Sequence, residues 1–305
     1  MVTQDILNTA SHHLAGLSGH IFDLLTIGKP ISIEAAVNLS KIISKLSPLL
    51  GNLIEFNTIE YLNDQEEYKN LGTWKRQDPG FPDTIFESPI SPIPGFEIKA
   101  WFALATEITA RFRDSQKHFA NDQTYVCMPA WLPEKIIYGK PRILDVCIVS
   151  GLSVAKARDD HYHNPPDYLV LEPEDTASRT RNLQQTNNNG YKWQGTESQF
   201  NEAEELVASW GPTGKVYDPS AQYQLLLRKL ISRYPYRLDT NFAKMDRIVH
   251  QEIENFKTRV LNIQFNGMTI GDWAKLLGGE DEVQIKQALE QHLEIIEVDA
   301  EEILQ

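Results

Sequence analysis

Asp83, Glu97 and Lys99 are the residues of this chain whose types and spacing point most directly to chemistry. Asp83 follows Pro82, thirteen residues intervene, and Glu97-Ile98-Lys99 comes next. Two carboxylates supply hard oxygen ligands of the kind Mg²⁺ prefers, an ion that takes one or two protein carboxylates and keeps several waters. The backbone carbonyl of Ile98 can add a third oxygen. Lys99 lies two residues beyond Glu97 and, in an extended strand, projects from the same face. Its ammonium can orient a water, help deprotonate it, and stabilise developing negative charge. Together these are the requirements of phosphodiester hydrolysis, in which a metal neutralises the phosphate and lowers the pKa of the attacking water. The alternative for the same residues is a solvated strand face with an ordinary ion pair, which contributes little to stability. Phe96, Ile98, Trp101 and Phe102 surround the pair in sequence, and an unpaired charge among such neighbours is costly.

The elements that must position these residues are legible from periodicity. PDTIFES (82–88) and FEIKAWFALA (96–105) have strand composition and flank the Pro-rich loop SPISPIPG, which ends at Gly95. In the second strand Phe96, Ile98, Ala100 and Phe102 share one face, and Glu97, Lys99 and Trp101 the other. A helix is expected over 106–119, then strands at 124–131 and 142–150, a short helix at 153–160 and a strand at 168–173. Sheet with interleaved helices makes the core α/β. Upstream, residues 1–70 read as three helices: one carrying Ile6, Leu7, His13, Leu14, Leu17, Ile21, Leu24 and Leu25, a second over 32–46, and a third after Gly51 that bears Glu55 and Glu60. Asp78, Pro79, Gly80 and Pro82 mark a turn-rich entry to the strands. Beyond a polar stretch at 174–195, helices are expected over 198–210, 220–233 and 241–261, followed by TIGDWAKLLGG and EVQIKQALEQHL.

The order Pro82-Asp83, Glu97-Ile98-Lys99, helix, further strands resembles the active site of the restriction-endonuclease-like superfamily, with its PD…(D/E)xK motif. A chain of 305 residues built around one such core is similar to the type II restriction endonucleases in particular. The resemblance covers Asp83, Glu97, Lys99 and the sheet through about residue 172. It implies a central mixed sheet flanked by helices, with helical N- and C-terminal regions. It also implies Asp83 and Glu97 as magnesium ligands and Lys99 as the residue serving the hydrolytic water. The implied activity is site-specific cleavage of double-stranded DNA within a restriction–modification system, leaving 5′-phosphate and 3′-hydroxyl ends. A homodimer would match a two-fold protein to a palindromic site. Organisation follows as a helical region at 1–70, a catalytic core with recognition loops at 71–195 and a helical region at 196–305, together one compact domain. Some relatives add a helical carboxylate near the metals, which makes Glu55 a candidate, with Glu60 on the same helix; exposed helix carboxylates are the alternative.

Candidates for DNA contact lie further along. Glu107, Arg111, Arg113, Gln116 and Lys117 occupy the helix after the catalytic strand; facing the site they contact phosphates or support Lys99, and facing water they are an ordinary polar side. Residues 178–189 offer Arg179, Arg181, Asn182, Gln184, Gln185, Asn187, Asn188 and Asn189 with almost nothing apolar to bury. Arg pairs with guanine and Asn or Gln with adenine, so this composition suits a loop that orders on DNA, and equally a surface loop without a ligand. Lys156, Arg158, His161 and His163 form a second candidate segment. His161-x-His163 lacks the further ligands of a recognisable zinc site. The two short C-terminal helices invite a helix-turn-helix reading, but the second carries Lys286 against Glu282 and Glu290, the wrong charge for a DNA groove; packing or subunit contact is expected instead.

The net charge of −13 runs against a polyanionic partner, yet its distribution softens the objection. Residues 280–305 hold nine acidic residues and one basic, whereas 95–195 hold twelve of each. The middle can therefore present a local positive surface. Cys127 and Cys147 sit in apolar strands and are expected to be buried free thiols. No apolar run is long enough for a membrane span, and the N-terminus lacks the order of a signal peptide, so a cytoplasmic protein without membrane or organic cofactor is expected. Two other readings share parts of this pattern: a repair or junction-resolving nuclease with the same chemistry, and a non-catalytic, acidic, largely helical interaction protein.

Overall fold

TYVCMPAWLPEK (124–135) is apolar at nearly every position, the composition of a strand buried on both faces. In the computed structural model it is the middle of the sheet. The structure describes residues 2–23, 25–77, 80–105, 116, 119–161, 168–171, 191–194, 197–212, 220–233, 238–239, 250–293 and 295. Their helices are α1 (Thr3–Ala15), α2 (Ile33–Ile42), α3 (Ser47–Asn63), α4 (Gly151–His161), α5 (Glu197–Ala208), α6 (Ala221–Arg233), α7 (Gln251–Leu261), α8 (Ile270–Leu277) and α9 (Glu282–Leu293). Their strands are β1 (Thr73–Arg76), β2 (Thr84–Glu87), β3 (Gly95–Ile98), β4 (Trp101–Phe102), β5 (Thr124–Lys135), β6 (Tyr138–Ser150), β7 (Tyr168–Leu171), β8 (Tyr191–Gln194), β9 (Leu238–Asp239), β10 (Gln264–Phe265) and β11 (Met268–Thr269).

The chain groups into two compact units, residues 1–108, 123–150 and 251–305 in the first and residues 109–122 and 151–250 in the second. These limits cut across the segments 1–70, 71–195 and 196–305 drawn from sequence. The first unit is mixed α/β: a six-stranded sheet ordered β1-β2-β3-β5-β4, with β6 paired to β5, flanked by helices. β1–β2, β2–β3 and β5–β6 are antiparallel, while β3 and then β4 lie parallel to β5, so the sheet is mixed. Its apolar packing includes Tyr68, Trp74, Phe86 and Phe96, whose rings meet at 5.1–5.8 Å. Cys127 and Cys147 are buried and free.

Several elements depart from expectation. The first helix stops at Ala15 rather than running on toward Leu25. Past it, Ile21 and Ile27 bridge to Arg142 and Gly139 of β6, so the chain trades helical bonds for cover along a sheet edge. The third helix begins at Ser47, through Gly51 rather than after it. The expected strand 96–105 is two strands, β3 and β4, separated at Lys99-Ala100. Register places Ala100 opposite Pro129 of β5, which has no N–H to donate, and the ladder lapses there. β1 was not anticipated; it is a four-residue edge strand whose Trp74 N–H donates to Asn63 Oδ1 at 2.8 Å and whose Trp74 C=O accepts from Asn63 Nδ2 at 2.9 Å. One amide at the end of α3 thus stands in for a missing strand.

In the second unit β7 pairs with β8 and β8 with β9, in an antiparallel sheet of its own, so the strand at 168–171 does not extend the central sheet. Of the expected helix 106–119 all but residues 116 and 119, and of the expected helix 241–261 residues 241–249, lie outside the described residues. At the C-terminal end, Asn266 and Gly267, both at positive φ, close a two-residue hairpin between β10 and β11. α9 lies against α2, where Lys286 pairs with Glu34 and Lys41 with Glu282. No helix among the described residues is long and apolar enough to cross a membrane.

Candidate active site

The β2–β3 hairpin sets Asp83 against Glu97. The last ladder pair is Thr84 with Phe96, so Asp83 and Glu97 face each other one step beyond it. Gly95 permits the approach: a Cβ there would lie 2.6 Å from the Pro82 ring and 2.9 Å from the Thr84 carbonyl oxygen. From the other side β1 holds the same segment. The Gln77 N–H donates to the Asp83 carbonyl at 2.8 Å, the Gln77 side chain donates to the Pro82 carbonyl at 3.1 Å, and Thr84 Oγ1 donates to the Lys75 carbonyl at 3.0 Å.

The two carboxylates are interlocked through the backbone. The Asp83 N–H donates to Glu97 Oε2 at 3.2 Å and the Ile98 N–H donates to Asp83 Oδ2 at 2.7 Å. Lys99 Nζ sits between them, 3.1 Å from Asp83 Oδ2 and 2.7 Å from Glu97 Oε1. Its own N–H continues the ladder by one bond to the Cys127 carbonyl at 2.8 Å. Since the Ile98 N–H points to Asp83, the Ile98 carbonyl of an extended residue lies on that same strand edge.

Burial decides the electrostatics. It pushes the Glu97 carboxyl up, to about 7, with the charge of Asp83 acting in the same direction and Lys99 opposing both. Burial draws the Lys99 ammonium down, and the carboxylates of Glu97 and Asp83 more than reverse it, leaving it above the ordinary lysine value. Lys99 is therefore a cation at neutral pH, suited to orienting a water and holding negative charge rather than to accepting a proton. A third carboxylate is close: Glu55 of α3 pairs with Arg76 of β1, Nε to Oε1 2.9 Å. Burial raises its proton affinity, Asp83 adds to that, and Arg76 and Lys99 oppose it.

The structure thus brings together Asp83, Glu97, Lys99 and the Ile98 backbone edge, with Glu55 beside them. Glu60, on the same helix, is exposed. Lys156 is exposed on α4, and Arg158 falls within that helix. Glu107, Arg111, Arg113, Lys117, Arg179, Arg181, Asn182, Gln184, Gln185, Asn187 and His163 lie outside the described residues. Arg76 and Gln77 belong to the site's surroundings and were missed. The sequence signal for them is faint: β-forming Thr73 and Trp74 between Gly72 and the turn residues at 78–80.

Among the described residues no three His, Cys, Asp or Glu side chains are grouped as a metal cage. What the site offers is two carboxylates and a backbone carbonyl, a donor count that suits Mg²⁺ with its retained waters. The raised proton affinity of Glu97 comes first from burial of its carboxylate, a cost that a divalent cation bound there would offset. Comparison of the chain with protein-family models, with curated proteins and with solved structures finds no match.

Proposed function

We propose that this chain is a magnesium-dependent endonuclease acting on double-stranded DNA, similar in site and core to the PD…(D/E)xK type II restriction endonucleases. The observation that carries the reading is the convergence of Asp83 and Glu97 on Lys99 Nζ, at 3.1 and 2.7 Å, across a strand hairpin. A mixed sheet that displays the hairpin at its β3 break supports the restriction-endonuclease-like fold. Asp83 and Glu97, with the Ile98 carbonyl, would hold the ion. Bound there, Mg²⁺ would neutralise phosphate charge and acidify the attacking water.

The chain's own groups supply position and charge. Glu97 is held by the Asp83 N–H and Asp83 by the Ile98 N–H, so their oxygens do not need to reorganise. Lys99 presents its ammonium protons to the nucleophilic oxygen and to the charge that develops on the phosphate. Glu55 adds a third carboxylate at the rim. In-line attack by water would leave 5′-phosphate and 3′-hydroxyl ends, and a homodimer would cut both strands of a two-fold site.

Purified protein is incubated with plasmid and phage DNA in Mg²⁺ or EDTA, beside Glu97→Ala. Discrete, Mg²⁺-dependent fragments that the substitution abolishes are expected. Cutting confined to nicks or branched DNA would move the assignment to a repair or junction nuclease. No cutting in any lane would reduce Asp83, Glu97 and Lys99 to a charge cluster and favour an acidic interaction protein.

A further inference from the structure

We infer that Arg76 is a positioning residue of this site, acting on it through Glu55. The inference rests on the nuclease reading above. β1 brings Arg76 into register with Thr84, the residue after Asp83, and the next residue, Gln77, is bonded to the Asp83 carbonyl. The base of the Arg76 side chain is thereby fixed relative to the catalytic carboxylates by backbone bonds. Its Nε donates to Glu55 Oε1 at 2.9 Å.

Glu55 needs such a partner. It arrives on α3, an element separate from the hairpin, and α3 (SPLLGNLIEFNTIEYLN) contains no basic residue of its own. The Glu55 side chain is only 14% exposed, and the Asp83 charge repels it. Left alone, a carboxylate so placed turns toward water and away from Asp83. Arg76 is the described ion-pair partner that keeps it at the cluster, and the planar guanidinium fixes its direction as a lysine ammonium would not. Partners of this kind commonly govern metal affinity without touching the metal.

The test is a cycle of Arg76→Ala, Glu55→Ala and the double variant, with Arg76→Lys, on the full chain. Two readouts are followed: Mn²⁺ binding by electron paramagnetic resonance, and the Mg²⁺ concentration for half-maximal plasmid cleavage. Arg76→Ala is expected to weaken both by roughly 10- to 100-fold, with Arg76→Lys between it and the parent. The double variant is expected to lose no more than Glu55→Ala alone, because both changes remove one pathway. Losses that multiply, or an Arg76→Ala protein with unchanged metal requirement, overturn the role of Arg76 while the nuclease reading stands. A parent protein that neither cuts DNA nor binds Mn²⁺ overturns both. If Arg76→Ala does not fold, Arg76→Gln is judged by the same criteria.

Discussion

Glu97 is 7% exposed, and its carboxyl sits at about 7 because burial and Asp83 outweigh the attraction of Lys99. The consequence for stability has a definite sign. Without metal, the folded chain retains a proton on Glu97 that the unfolded chain releases near 4.5. Between those values the native state binds more protons than the unfolded one, so this group's contribution to stability falls as pH rises and stays lost above about 7. Glu97→Gln removes the charge and keeps the shape. In EDTA at pH 8 it is expected to be more stable than the parent by up to about 3 kcal/mol, since one pKa unit corresponds to roughly 1.4 kcal/mol. Lys99, deprived of one partner, reduces that gain. The difference is expected to shrink toward zero as the pH approaches 4.5, which urea unfolding at several pH values measures. A gap independent of pH would mean that Glu97 is not the strained group. On the proposed function, the stability gained there is expected to accompany loss of cleavage, the usual conflict at a site built for charge.

The hairpin is the element that converts spacing into a site. Thirteen residues separate Asp83 from Glu97 in sequence, but only the β2–β3 register places them face to face, and only a glycine at 95 lets the Pro82 ring and Thr84 carbonyl come that close. Gly95→Ala forces a rigid ring or a backbone oxygen to move. It is expected to lower stability by about 1–3 kcal/mol. Because it displaces Asp83, it should also reduce cleavage by on the order of 100-fold, whereas Gly28→Ala, which meets nothing within 4 Å, changes neither. Equal activity of the two variants would show that the hairpin tolerates a looser fit. The strand at 84–87 and the larger parts of β5 and β6, 124–131 and 142–150, were legible because their β-forming and apolar runs are strong. β1 was not, since three of its four residues are exposed and Trp74 alone is buried. The break after β3 was not either, because it depends on Pro129 in a different strand.

Charge is the property of the whole molecule that most constrains its proposed partner. With a net charge of −13, and with Lys99 and Arg76 the basic partners of Glu55, Asp83 and Glu97 among the described residues, the chain should repel DNA until a divalent cation is present. Binding of Lys99→Ala to plasmid DNA, followed by gel shift so that cleavage does not intervene, is expected to strengthen at least about tenfold from EDTA to Mg²⁺, equivalent to roughly 1.4 kcal/mol. It should also weaken steeply as monovalent salt rises, because phosphate contacts release counterions. Affinity indifferent to both would speak for an acidic protein-binding surface instead. At this scale the sheet assignment also changed. A strand at 168–171 exists, as its apolar run suggested, but it pairs with β8 rather than extending the central sheet.

The sequence by itself determined the candidates for chemistry: Asp83, Glu97 and Lys99 lie within seventeen consecutive residues, and a period of two puts Glu97 and Lys99 on one face. It also determined the α/β character of the core, because periodicity and apolar runs are local. Only the tertiary structure decided that Glu55 joins Asp83 while Glu60 faces solvent. The same holds for the bonding of Asp83 by Gln77 and of Glu55 by Arg76 from an edge strand, and for which strands share a sheet. Each of those depends on which distant segments pair and how a helix is turned against them, and pairing between distant segments has no period along the chain to announce it.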